Sequence, residues 1–157
     1  MGQQQLLLII LGVIIVGIAI AVGITMFRDN AVSTNRDAIA NDLMHLAAKA
    51  KHFYKRPTSM GGGGHSFVGL TANAAGMLTL VTTGFSDNYN GTYTIKTAGS
   101  STSVEFRGVG KAPLDNGTFP TMDCLVTAND QTITIELLNK VQIRFHLTHS
   151  SRIAKHR

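Results

Sequence analysis

The sequence predicts an α+β protein in which a long N-terminal helix packs on a four-stranded antiparallel sheet. Three observations predict this fold. The first is an uncharged apolar run, Leu6–Phe27, near the N-terminus. The second is the helical spacing of apolar residues between positions 31 and 56. The third is the alternation of apolar and polar residues in four short segments after position 90.

The first element is a helix that is apolar on every face. Leu6–Phe27 contains 22 residues and no ionisable side chain. As a helix it is about 33 Å long, which matches the hydrocarbon core of a bilayer. A secretory signal peptide has a shorter apolar region with positive charge before it, and here Gln3, Gln4 and Gln5 stand in that place. We therefore predict a membrane-compatible helix over residues 1–27.

An amphipathic helix is predicted next, over residues 31–56. Its apolar residues recur at intervals of four and three and so form one stripe: Ile39, Leu43, Leu46, Ala50 and Phe53. Basic residues occupy its last turn and Pro57 ends it. Because neither proline nor glycine lies between positions 26 and 56, both helical segments are predicted to form one rod of about 50 residues, about 75 Å long.

Residues 57–89 are predicted to be a loop and Gly-rich segment with a flexible break at the glycine run Gly61–Gly64. Within it, Phe67–Leu80 is left open between a short helix around Ala72–Ala75 and a poor strand. The sheet is predicted over residues 90–149, with strands at 92–96, 103–107, 132–137 and 141–148. One face of this sheet is apolar, and the helix stripe is expected to cover it. The predicted core of the head (residues 28–157) is Ile39, Leu43, Leu46, Phe53, Phe106, Ile135, Ile143 and Phe145.

Charge is confined to the head. All 14 basic and all 9 acidic residues lie at or after Arg28, so the head carries the whole net charge of +5. Residues 140–157 contain five of the basic residues and no acidic one. The tail at residues 150–157 is expected to be either a solvated chain end or a weak binding surface for anionic lipid or nucleic acid.

The sequence predicts no enzyme, cofactor or metal site. Cys124 is the single cysteine and is expected to be a small buried side chain. His45 and His52 are about 10 Å apart along a helix, too far to share one metal ion. His146 and His149 are expected on opposite faces of a strand. Asn90 and Asn116 each begin an Asn-Gly-Thr pattern, which is an N-glycosylation acceptor pattern and is also typical of turns.

The order of these elements resembles the type IV pilin family, to which the pseudopilins of type II secretion are similar. The resemblance covers the whole chain in architecture, and its sequence motif lies in residues 1–27. Met1 matches the start of many mature pilins. Gln5 stands where the family usually has Glu, Val22 replaces a frequent proline, and the usual pair of cysteines is absent.

The resemblance implies a structural subunit that polymerises through its N-terminal helix. It implies processing by a prepilin peptidase, with the cut either before Met1 or after Gly2. Loss of a basic leader would place the head outside the inner membrane, whereas the basic residues after Phe27 alone favour the cytoplasm. The implied partners are other copies of the chain and an inner-membrane assembly machinery. The residues expected in a filament core are Met1, Gln3, Gln4, Gln5, Leu6, Gly12, Gly17, Gly23 and Phe27.

The expected localisation is the inner membrane before assembly and an extracellular filament on the cell surface afterwards. Two alternative functions stay open. One is a single-pass membrane protein with a small extracytoplasmic binding domain that never polymerises. The other is a minor pseudopilin of a secretion system. The sequence does not distinguish among adhesion, motility, DNA uptake and secretion.

Overall fold

The computed structural model describes residues 2–114 and 116–128, and it describes residues 133–137 for their backbone alone. Helix α1 (Gly2–Lys55) contains 54 residues without interruption. At 1.5 Å per residue this rod is about 80 Å long. The apolar and amphipathic segments are therefore one continuous helix, as the absence of proline and glycine between them indicates.

The glycine run folds back on the end of α1 and satisfies its last carbonyl groups. The backbone N–H groups of Gly63 and His65 donate to the carbonyls of Phe53 and Tyr54, each at 2.8 Å. Gly64 N–H donates to the carbonyl of Arg56 at 2.9 Å. The last carbonyls of a helix have no partner within the helix and need such donors. The run is therefore a structured helix cap, and the predicted flexible break is wrong.

Three short helical segments follow α1 in the region predicted as a loop. They are a 3-10 turn (Thr58–Met60), α2 (Ala74–Leu80) and α3 (Thr83–Ser86). Asn73 caps α2, because its side-chain oxygen accepts a hydrogen bond from Gly76 N–H at 2.9 Å.

An antiparallel sheet packs on the second half of α1. It contains β1 (Gly91–Thr97), β2 (Ser103–Gly110) and β3 (Thr121–Thr127), paired in chain order. The backbone of β4 (Ile133–Leu137) runs antiparallel beside β3. The predicted set of four strands is thus shown only in part. It omitted β3, and its last strand, at 141–148, lies outside the described residues.

The core lies between α1 and the sheet. Ile39, Leu43 and Leu46 of α1 are fully buried, and so is Phe106 of β2. Phe53 is half-buried at the edge of this core. Ile135 is described for its backbone alone, and Ile143 and Phe145 lie outside the described residues. Cys124 is fully buried, as expected. The core also contains side chains that were not predicted to belong to it: Phe67, Leu70, Met77, Tyr93, Met122 and Val126.

Two adjacent residues of α1 test this assignment of faces. Leu43 is fully buried, whereas the side chain of Met44 is 43% exposed. Leu43→Ala should lower the free energy of unfolding of the head by about 2–5 kcal/mol, because it removes buried methyl groups and leaves a cavity. Met44→Ala is the matched control and should change it by less than about 0.5 kcal/mol. Urea titration followed by circular dichroism measures both, and equal losses would contradict the assignment.

Candidate functional site

The first half of α1 extends away from the head and exposes its apolar side chains. Val32 is the first buried residue of the helix. The large apolar side chains before it, from Leu6 to Phe27, are 52–79% exposed. Soluble monomers rarely expose a contiguous apolar surface larger than a few hundred Å². This half of the helix is therefore the first candidate for a functional surface.

The same segment is long and apolar enough to cross a membrane. Its most apolar window has a mean hydropathy of 3.2, and none of that window is buried in the protein. The core helix of a soluble protein would be covered by other elements, and this one is not. Its length and composition suit a bilayer, and a signal sequence near an N-terminus can meet the same criterion of length and mean hydropathy.

Polar groups within the apolar half are few, and most are satisfied by the helix itself. Thr25 is the one polar side chain between Leu6 and Phe27, and its hydroxyl donates to the Val22 carbonyl at 2.8 Å. The helical backbone satisfies its own N–H and C=O groups, as an apolar surrounding requires. Gln3, Gln4 and Gln5 lie exposed at the helix start. Met1 lies outside the described residues.

The glycines of this segment lie on two faces of the helix. No heavy atom comes within 4 Å of the position that a Cβ would take at Gly12, Gly17 or Gly23. At 100° per residue, Gly12 and Gly23 lie about 20° apart around the axis, whereas Gly17 lies about 140° from Gly12. A neighbouring helix can approach closely where the side chain is small. The segment therefore offers close contact on more than one side.

One carboxylate joins the second half of α1 to the start of β1. Oδ2 of Asp42 accepts hydrogen bonds from Tyr93 Oη at 2.6 Å, Asn88 Nδ2 at 2.9 Å and Asn90 Nδ2 at 3.0 Å. Burial raises the pKa of Asp42, but these three donors, together with the electrostatic effect of His45, lower it by more, so its net pKa is lowered. The pKa of Tyr93 is raised by burial and by its bond to Asp42.

A second polar cluster lies on the sheet face opposite α1. Asp123 is only 6% exposed, and its two oxygens accept from Arg107 Nε at 2.7 Å and Lys96 Nζ at 2.8 Å. Lys96 also pairs with Glu105 at 2.7 Å. Burial raises the pKa of Asp123, and the two cations lower it by more. The four charges sum to zero, so the cluster pairs its own members and offers no free charge to a ligand.

The described residues contain no group of three His, Cys, Asp or Glu side chains that could hold a metal ion. Burial raises the pKa of the Cys124 thiol to about 12, so the thiol stays protonated near neutral pH. His45 and His52 are exposed. A cavity of about 270 Å³ lies between α2 and β1, and an open groove beside Asp42, His45 and Lys49 measures about 800 Å³.

The sites predicted from sequence have different surroundings in the structure. Asn90 is half-buried in the Asp42 cluster, whereas Asn116 is exposed in a turn between β2 and β3. The basic tail lies outside the described residues. Asp42 and Asp123 were not singled out from the sequence. The sequence did offer a signal for Asp42, because this acidic residue directly precedes Leu43, which the helical spacing assigns to the core.

In outline the chain has an arrangement that pilins have, a long N-terminal apolar helix that packs on a small sheet. No protein-family model matches the sequence, and no curated protein or solved structure is significantly similar to it.

The lowered pKa of Asp42 predicts an acid-sensitive contribution to stability. Its ordinary value is 3.8 and its folded-state value lies below this, so its ionised form stabilises the head above that pH. This contribution should be lost as the pH falls through the folded-state pKa. Asp42→Asn should lower the unfolding free energy at pH 6 by about 1–3 kcal/mol and reduce its decline below about pH 4.

Asp37→Asn is the matched control, since Asp37 is an exposed carboxylate on the same helix with no ion pair among the described residues. It should leave both the stability and its pH dependence close to those of the unmodified protein. Urea titrations between about pH 6 and pH 2 measure both variants. Identical pH profiles for Asp42→Asn and the unmodified protein would contradict the assigned role of Asp42.

Proposed function

We propose that the protein is the structural subunit of a type IV pilus-like filament and that it polymerises through residues 1–27. The observation that carries this proposal is the division of α1 into two halves. The second half is buried against the sheet and makes the head a domain with its own core. The first half is apolar on every face from Leu6 to Phe27, and none of its most apolar window is buried against the residues of the head that the structure describes.

An apolar helix of this kind needs an apolar surrounding throughout the life of the subunit. The inner membrane supplies it before assembly, and the helices of neighbouring copies supply it in a filament. Both surroundings require backbone groups to be satisfied within the chain, and the helix does this. The same surface can therefore serve first as an anchor and then as a subunit contact.

The contacts between copies are proposed to be heterologous. Gly12 and Gly23 lie on one face and Gly17 on another, so different sides of the helix can meet different neighbours. A heterologous contact whose rotation does not close forms an open helical polymer. The proposed localisation is the inner membrane followed by an extracellular filament. The proposed partners are other copies, an inner-membrane assembly machinery and a prepilin peptidase.

Removal of the apolar half separates the two roles of α1. Residues 28–157 alone should give a soluble, folded head that makes no filaments, because the core begins only after this cut, at Val32. Circular dichroism and size-exclusion chromatography measure folding, and electron microscopy of sheared cell-surface material measures filaments. The full chain is the control and should give filaments.

Two outcomes would contradict the proposal in different ways. Filaments from residues 28–157 would show that the head is the polymerising part. Full-length protein that stays anchored and gives no filaments in its own cells would favour a single-pass membrane protein with a small binding domain.

Substitution of the three glutamines tests how the polar start of the helix is stabilised among neighbouring copies. Residues 1–27 contain no carboxylate, so a buried terminal ammonium would find no anionic partner in this segment. Gln3, Gln4 and Gln5 offer amide oxygens as acceptors in its place. Replacing all three by Leu should leave membrane insertion intact and sharply reduce the yield of filament.

Replacing the same three residues by Asn is the matched control, because it keeps the amides and should retain most assembly. Membrane fractionation measures insertion, and electron microscopy measures filament yield. A triple Leu variant that assembles as well as the unmodified protein would show that the glutamines serve only as a polar end to the helix.

A further inference from the structure

Two Asn-Gly-Thr segments of identical sequence lie in different surroundings in the head. The first is Asn90-Gly91-Thr92 at the start of β1, and the second is Asn116-Gly117-Thr118 between β2 and β3. Their shared sequence is the acceptor pattern for N-linked sugar. Because the three residues are the same, a difference in their reactivity must come from the residues that flank them or from the fold.

The second segment forms a turn held by its own residues. Leu114 N–H donates to the Thr118 carbonyl at 2.7 Å, and Gly117 N–H donates to the Leu114 carbonyl at 2.9 Å. Gly117 has a φ of 76°, in the left-handed region that glycine adopts without strain. Asn116, Gly117 and Thr118 are all exposed. The turn therefore presents the whole acceptor pattern to solvent.

The Asn116 side chain is held through its oxygen. Its Oδ1 accepts from the Thr118 hydroxyl at 2.7 Å and from Thr118 N–H at 3.1 Å. No described residue accepts a hydrogen bond from its Nδ2. An amide nitrogen becomes a nucleophile only when a proton leaves it and charge passes to the amide oxygen. Two donors on Oδ1 stabilise that charge, and Nδ2 stays open to an incoming group.

The Asn90 side chain is held through its nitrogen instead. Its Nδ2 donates to Asp42 at 3.0 Å, and its backbone carbonyl accepts from Asn35 Nδ2 at 2.8 Å. Asp42 and Asn35 both belong to α1, so the asparagine is fixed against the helix from two sides. The hydroxyl of Thr92, the third residue of this segment, donates to Asp87 and not to Asn90. The reacting nitrogen of this segment is already bonded to a carboxylate.

We propose that the folded head presents Asn116 as an N-glycosylation acceptor and withholds Asn90. The donor would be a sugar linked to a polyprenyl diphosphate. Asn116 Nδ2 would attack the anomeric carbon and form the N–C bond. The bond between that carbon and the diphosphate oxygen would break, with its electron pair leaving on the diphosphate. The proton from Nδ2 would pass to a base of the transferase.

This proposal rests on the proposed function, because such transfer requires the head to reach the outer side of the membrane. A cell-free transfer reaction distinguishes failure of the glycosylation proposal from failure of the proposed function. It uses full-length protein purified in detergent, a polyprenyl-diphosphate-linked sugar, and a transferase chosen because it modifies synthetic peptides covering residues 86–95 and 112–121 equally. Mass spectrometry of the digested protein then measures the fraction of each asparagine that carries sugar.

In the folded protein Asn116 should be modified, and Asn90 should be modified at least about tenfold less, because its nitrogen must first leave a charge-assisted hydrogen bond. Thr118→Ala should abolish modification of Asn116, and Thr118→Ser, which keeps the hydroxyl, should retain it. Equal modification of both asparagines would overturn the proposal. An unmodified Asn116, or one that only gains the mass of deamidation, would also overturn it.

Protein isolated from its own cells tests where the head lies. Sugar on Asn116 in that protein supports both proposals. If the cell-free reaction modifies Asn116 but the cell-made protein carries no sugar there, the acceptor geometry stands and the outward location of the head is what has failed.

Discussion

The close approach of α1 to strand β2 is the contact on which the rest of the structure depends. A Cβ at Gly108 would lie 2.8 Å from Ile39 Cγ2, and one at Gly110 would lie 2.7 Å from Ile39 Cδ1. Side chains at these positions would hold the helix away from the sheet. Because both are glycine, Ile39 sits directly on the β2 backbone, and Leu43 and Leu46 follow it into the core.

Polar side chains fix where along its length the helix meets the sheet. Asn35 bonds the Asn90 carbonyl and accepts from Ala112 N–H at 3.4 Å, so it joins the start of β1 to the segment after β2. Asp42, two turns further along α1, accepts hydrogen bonds from Asn88, Asn90 and Tyr93 near the start of β1. An apolar stripe alone would allow the helix to slide by a turn, because Ile39, Leu43 and Leu46 repeat at similar intervals. The polar contacts remove that freedom, and they also engage the Nδ2 of Asn90, whereas no described residue accepts a hydrogen bond from the Nδ2 of Asn116.

The fixed second half of α1 positions the first half. A helix without a break transmits its direction, so a rod anchored between Asn35 and Ala50 must project its apolar residues beyond the head. Under the proposed function, stability and assembly therefore depend on different parts of one element. Changes in the first half can alter contacts between copies without altering the core, and changes at Leu43 or Asp42 act on the head itself. This separation is the observation on which the proposed subunit function rests.

The continuous helix, its two halves and much of the antiparallel sheet could be predicted from the sequence, since these follow from composition and from periods of 3.6 and two residues. The sequence analysis missed β3, because Leu125 on the outer face forms an apolar run with Cys124 and Val126 and so interrupts the alternation. It also mistook Gly61–Gly64 for a flexible break, because local composition does not show that nearby carbonyls of α1 need donors. The difference between Asn90 and Asn116 could not be predicted from two identical segments. It depends on tertiary structure, because Asp42, which is distant in sequence, accepts a hydrogen bond from the side chain of Asn90.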